Sequence, residues 1–228
     1  MKIGVLLSGN GVYDGSEIQE AVFTLLSIDE NGAEAICMAP DINQHHVVNH
    51  LSGEEMNEQR NVFVESARIA RGNIRKITDV SAKELDALVI PGGFGAAKNL
   101  TKWAFSGPEG EINNDVLELI RAVNVQGKPI VGFCMGPTVI SKALQGTGIH
   151  SHLTVGTDKE ASPYDIAAIS QGMEKAGSIA EMKSVREISV DEENKIITAP
   201  CYMMEASIKE VNTNIKLAMD KLFEMIKK

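Results

Sequence analysis

Aromatic side chains are scarce: one Trp and three Tyr stand among 228 residues. That excludes the stacking platforms on which proteins hold single-stranded nucleic acid. Positive charge is scarce too, with 22 Lys and Arg against 31 Asp and Glu, a net charge of −9 and no basic cluster. Neither nucleic acid nor an anionic membrane surface is expected as a partner. No apolar stretch approaches the length of a bilayer span. The opening run Ile3-Gly4-Val5-Leu6-Leu7 is too short for a signal peptide and has no cleavage-site pattern after it. The three cysteines, Cys37, Cys134 and Cys201, form no C-x-x-C pair, which argues against a zinc knuckle or a thioredoxin-type site. These absences lead to the expectation of a reduced, cytoplasmic, enzyme-sized protein.

What is present is an alternation of buried strands and helices. Ile3 to Leu7, Ala33 to Met38, Leu85 to Ile90 and Lys128 to Val131 are apolar without period-two alternation, as in strands buried on both faces. Between them lie helical patterns: one capped by Ser16 and running to Glu30, with Asn31-Gly32 as its stop, and one from Ile112 to Val125 ending at Gly127. This βαβα order predicts an α/β fold, a mostly parallel sheet with helices on both faces. The segment from Asp41 to Ile77 departs from the rhythm. It carries a short strand at Val47 to Leu51 and a helix over Val62 to Arg71. Later come Leu153-Thr154-Val155, a helix over Pro163 to Lys175, and a β-hairpin pairing Glu187–Val190 with Lys195–Thr198 around Asp191-Glu192-Glu193-Asn194. A helix from Glu205 to Lys227 closes the chain. With no repeat, linker or low-complexity segment, residues 1–228 read as a single domain.

Chemistry concentrates at Gly132-Phe133-Cys134-Met135-Gly136, a G-x-nucleophile-x-G elbow between a strand and a helix starting near Pro137. Such a turn strains the central residue and lifts its side chain above the sheet edge, beside a helix N-terminus that favours a thiolate. Pro91-Gly92-Gly93 ends another strand at the same carboxyl edge, where ligands of doubly wound sheets bind. The backbone N–H groups of Gly92, Gly93 and Met135 are the candidate donors to a developing oxyanion. Cys37 reads as core, and Cys201 as structural.

Histidine placement separates the possible reactions. None follows His152, and Met135 occupies the position directly after the nucleophile. A Cys-His-acid triad, and amide hydrolysis with it, is therefore disfavoured, although His150 or His152 could reach the site. His45, His46 and His50, followed by Glu54 and Glu55, have metal-like composition but read as solvated loop residues, and no metal is expected. Gly9-Asn10-Gly11-Val12-Tyr13-Asp14-Gly15 mimics a dinucleotide fingerprint with its third glycine one residue late, and Asp41 follows in the ribose position. A lone Gly-rich turn is a weak signal, and no cofactor is expected.

The chain resembles the ThiJ/PfpI superfamily, the class I glutamine-amidotransferase-like fold, and within it the ElbB-type glyoxalase branch. The resemblance is carried by Ser8 to Ile18, Asn49-His50-Leu51-Ser52-Gly53-Glu54, Pro91 to Leu100, Val155-Gly156-Thr157-Asp158 and Asp191 to Lys195, and it spans nearly the whole chain. It implies a flavodoxin-like three-layer sandwich, a cysteine nucleophile, a glutamate partner on the first helix, and a homodimer. Counting back from Gly32 puts that partner at Glu20, with Glu17 one turn earlier on the same face. A carboxyl half-buried beside a thiolate tends to keep its proton, and can donate it and shuttle it. The expected activity is a cofactor-independent glyoxalase acting on a small dicarbonyl. The alternative is a cysteine redox sensor or a partner-binding regulator.

Overall fold

A computed structural model describes residues 1–227. In chain order it contains β1 (Lys2–Leu6), α1 (Ile18–Glu30), β2 (Glu34–Ala39), α2 (Val62–Ile69), β3 (Arg75–Lys76), β4 (Ala87–Ile90), α3 (Trp103–Ser106), α4 (Asn114–Val125), β5 (Ile130–Phe133), α5 (Gly136–Leu144), β6 (His152–Gly156), α6 (Ile166–Lys175), β7 (Ile179–Met182), β8 (Ser189–Asp191), β9 (Ile196–Ala199) and α7 (Ile208–Lys227). Seven strands form one sheet in the order β3-β2-β1-β4-β5-β9-β8, parallel except where β8 meets β9. This is the flavodoxin-like α/β architecture. On one side α1 packs against α7 and α2; α4 packs against α5.

The central strands explain the unbroken apolar runs. Every residue of β4, β5 and β9 is buried, because helices cover both faces of the sheet. Each fully buried Val, Leu or Ile there contributes about 1.5–3 kcal/mol relative to exposure. The expected hairpin forms, with Ser189 opposite Thr198 and Asp191 opposite Ile196. Its second strand also pairs in parallel with β5, Phe133 opposite Ala199, so the hairpin is the edge of the main sheet.

Several expectations are corrected. The α1 cap is Glu17 and not Ser16: the Glu17 carboxylate accepts the Glu20 N–H at 2.7 Å, whereas the Ser16 hydroxyl takes the Ser8 N–H at 2.9 Å. Residues 47–51 form no strand, only an isolated bridge from Val48 to Glu55. A second, two-stranded parallel sheet, β6 with β7, was not foreseen. Its β7 segment is short and partly exposed, so it lacks the burial signature of the other strands. The turn after β4 winds into five residues of π-helix, Ala96–Leu100, a wide coil often found at functional sites.

Candidate active site

The elbow forms as its glycines require. Cys134 has φ +54, left-handed backbone that L residues avoid, and its N–H is held by Ala199 O at 3.0 Å. A side chain at Gly136 would strike Ile90 O at 2.5 Å, so only glycine lets α5 start so close to β4.

Glu20 enters from the first turn of α1 and is fully buried. The Gly92 N–H donates to Glu20 Oε2 at 3.0 Å, the Tyr202 N–H donates to Oε1 at 3.3 Å, and the carboxyl hydrogen-bonds the Cys134 thiol. Burial, reinforced by the negative charge of Glu17, pushes its pKa up to about 8. At neutral pH Glu20 therefore holds a proton. Burial also pushes the Cys134 thiol well above its ordinary value, with the Glu20 charge adding to the effect and the N–H groups of Gly93 and Met135 opposing it. Two like charges this close cannot both develop freely, so thiol and carboxyl titrate as a pair. A low thiol pKa from the helix terminus alone was the expectation, and dry packing overrides it.

The structure thus brings Cys134, Glu20, Gly93 and Met135 together. Gly92 belongs to the same cluster but its role differs from the oxyanion expectation, since its N–H is occupied by Glu20. A Cβ on Gly92 would lie 2.4 Å from Cys134 Cβ and 2.6 Å from Glu20 Oε2, so the residue is the spacer between acid and thiol. Gly93, at φ +92, is pressed against Gly15 O and the Glu17 N–H. Glu17 caps the helix and is half-buried, with its pKa raised by burial. It borders Glu20.

The histidines stand elsewhere. His150 Nδ1 faces Gly177 O at 2.8 Å and His152 Nδ1 meets Glu181 Oε1 at 3.0 Å. No imidazole is among the groups bearing on the Cys134 thiol. His50 Nε2 accepts the Tyr13 N–H at 3.2 Å, and His46 approaches Glu55 at 4.0 Å. Among the described residues, no three His, Cys, Asp or Glu side chains are grouped to hold a metal. The glycines of the Gly-rich turn do not offer a phosphate cradle, because their N–H groups are spent: Gly9 N–H on Ser66 Oγ, Gly11 N–H on Ser16 O and Gly15 N–H on Gly11 O.

Two features escaped sequence reasoning. Cys201 follows β9, the strand beside β5, and also has a left-handed backbone, φ +49. Its thiol is buried, and burial, with the Glu20 and Cys134 charges adding to it, holds its pKa well above the ordinary value. The one available signal was its position two residues beyond a buried strand. The second feature is a pair of clefts. One, about 270 Å³, is lined by Phe94, Trp103, Pro108, Met135, Tyr164 and Gly172; the other, about 470 Å³, by Tyr13, Val48, Gly53, Phe94, Lys98 and Phe105.

A doubly wound sheet with a cysteine elbow and a carboxyl beside it is the class I glutamine amidotransferase-like arrangement, and the chain belongs to that superfamily, the ThiJ/PfpI one. Over 226 residues, 98% of this chain, it is 37% identical to the human glutamine amidotransferase-like class 1 domain-containing protein 3, mitochondrial, covering 83% of that protein. It is equally identical to the ES1 protein homolog, mitochondrial, of Rattus norvegicus, covering 84% of it. Among solved structures, an isoprenoid biosynthesis protein with amidotransferase-like domain from Ehrlichia chaffeensis matches with a TM-score of 0.88 and 31% identity, over 98% of this chain and 99% of that one. DJ-1beta of Drosophila melanogaster, at a TM-score of 0.58 and 14% identity over 99% of this chain and 93% of its own, shares the fold. No protein-family model matches the chain. The cytoplasmic expectation is overturned by the human and rat relatives, both named mitochondrial. It rested on the absence of a leader pattern, and such an absence says nothing about where a folded domain works.

Proposed function

We propose that this protein is a cofactor-independent glyoxalase that converts a small dicarbonyl to a 2-hydroxy acid. Its superfamily includes glyoxalases and deglycases. The observation that carries the reading is the buried Glu20 carboxyl, protonated near neutrality and hydrogen-bonded to the Cys134 thiol. When the pair has lost one proton, the reactive form is reached by passing the Cys134 thiol proton to the Glu20 carboxylate, giving a thiolate beside a protonated acid. The thiolate adds to an aldehyde carbon, and the Gly93 and Met135 N–H groups, which act on the sulfur before addition, turn to the new oxyanion. Glu20 protonates that oxyanion and becomes a carboxylate. It then removes the hydrogen on the same carbon as a proton and returns it to the neighbouring carbon of the enediol. The hydroxyl proton passes to the second oxygen, leaving a thioester on Cys134. Water cleaves the thioester, releasing the 2-hydroxy acid and the thiol. The test is glyoxal turnover with hydroxy-acid product analysis: activity equal to the parent in Cys134→Ser would defeat the mechanism. The homodimer remains part of this proposal. Ile18, Val22 and Leu26 form an exposed apolar stripe on α1, a face that association with a second copy of the chain would cover, and light scattering of the purified protein tests it.

A second reading, a cysteine redox sensor, is favoured by a second buried cysteine, Cys201, which follows the strand paired with β5 and lies close enough to Cys134 for the Cys134 charge to bear on it. A hydroperoxide would transfer one oxygen to the Cys134 thiolate, giving a sulfenic acid and an alcohol or water. The Cys201 thiol would then displace water to close a disulfide. Intact mass after mild peroxide separates the readings: loss of two hydrogens without dicarbonyl turnover supports the sensor, and turnover with an unaltered thiol defeats it.

A further inference from the structure

The catalytic cluster does not use the larger cleft next to it. The smaller cleft reaches the elbow through Met135, and burial pushes the pKa of its Tyr164 up to about 12, with the nearby Cys134 and Tyr13 charges adding to the effect. Phe94 walls both clefts and meets the Tyr164 ring edge-on, with centroids 5.7 Å apart. Beyond Phe94 the space opens along Tyr13, Val48 and Phe105 to Lys98. The Lys98 ammonium lies 5.4 Å from the Phe94 ring centroid and donates one hydrogen bond, to Tyr13 O at 2.8 Å. Among the described residues no carboxylate reaches salt-bridge distance of it, in a chain whose net charge is −9. Two acids, Asp14 and Glu55, act on it from farther off: Asp14 is buried and directs its carboxylate to the Val48 N–H at 2.7 Å, and Glu55 approaches His46 at 4.0 Å. Lys102, whose ammonium bonds Lys98 O at 2.9 Å, adds a second positive charge at the same rim. A half-buried, unpaired ammonium at the end of an aromatic-walled cleft is poised for an anion carried on a flat apolar body.

We propose that the Phe94–Lys98 cleft is a subsite for the substituent of the substrate, and that the preferred substrate is an aryl 2-oxoaldehyde whose ring bears a carboxylate. This rests on the dicarbonyl reading above. The aldehyde carbon meets Cys134, the ring lies along Phe94, and the carboxylate pairs with Lys98. Steady-state kinetics with glyoxal, phenylglyoxal and 4-carboxyphenylglyoxal test it. We expect 4-carboxyphenylglyoxal to exceed phenylglyoxal in kcat/KM by about tenfold, with the advantage lost in Lys98→Met, kept in Lys98→Arg, and reduced by salt in the wild type. Equal kcat/KM for the two aryl substrates in the wild type, or an advantage untouched in Lys98→Met, overturns the subsite. A binding arm separates this from failure of the enzymatic reading. Calorimetry of Cys134→Ser with 4-acetylbenzoate and with acetophenone requires no turnover. Tighter binding of the carboxylate that disappears when Lys98→Met is added upholds the subsite even if no dicarbonyl is converted, and equal binding overturns it.

Discussion

Two neighbouring regions at the carboxyl edge of the sheet are built in opposite ways. Around Cys134 the space is closed, and the donors are committed: the Gly92 and Tyr202 N–H groups to Glu20, the Gly93 and Met135 N–H groups to the sulfur. Around Lys98 the walls are aromatic, the space is open and the ammonium has donors to spare. The first region has the character of a reaction centre, where fixed dipoles and burial set proton affinities. The second has the character of a recognition surface. Gly93 and Phe94 are adjacent in the chain, but the reacting groups Cys134 and Glu20 and the ammonium of Lys98 stand on different segments, so each region can be broken at its own side chains.

The largest expected effect is on the reaction centre. Cys134→Ser should lower glyoxal turnover on the order of a thousandfold or more, as read by hydroxy-acid formation. Glu20→Gln should lower kcat by roughly 10²–10⁴, the contribution of a positioned acid–base group. The same variant has an opposite effect on stability. Glu20 binds its proton more tightly folded than unfolded, so the native state holds more protons between pH 4.5 and about 8. Wild-type stability should therefore fall across that window as pH rises, and flatten above it. Glu20→Gln removes that loss, so its melting temperature relative to wild type should climb from pH 5 to pH 8; a constant difference would contradict the buried, protonated carboxyl.

Gly92→Ala comes next. Its methyl would collide with both Cys134 and Glu20, and it should cost about 1–3 kcal/mol of stability and roughly a hundredfold in kcat through misplacement. Denaturant melts and kinetics on the same preparation check this. The smallest effect, about tenfold, is that of Lys98→Met on the carboxylated substrate. If Gly92→Ala altered that preference while sparing the chemistry, the division between the regions would be wrong.

The two regions also differ in how far the sequence announced them. The elbow was legible because its requirement is local: small residues flanking a strained Cys134 between a strand and a helix. The unbroken apolar runs of β1, β2, β4 and β5 likewise announced a parallel sheet. Glu20 was reached through family resemblance, since nothing near it in sequence points to a thiol on another strand. Gly92 was found but misassigned, because which acceptor an N–H meets is decided by tertiary contact. The Phe94–Lys98 cleft was invisible for the same reason: Tyr13, Val48, Phe94 and Phe105 converge from four segments. Cys201 read as structural, and only the β5–β9 pairing puts it beside Cys134.

The central claim is that Glu20 relays a proton for a thiol that has already added to the substrate. Mixing the Glu20→Gln protein with glyoxal, then following intact mass and hydroxy-acid product together, tests it most directly. The account predicts a protein that gains the mass of one glyoxal at Cys134 while forming little product. Hydroxy acid released at the wild-type rate from that variant would contradict it.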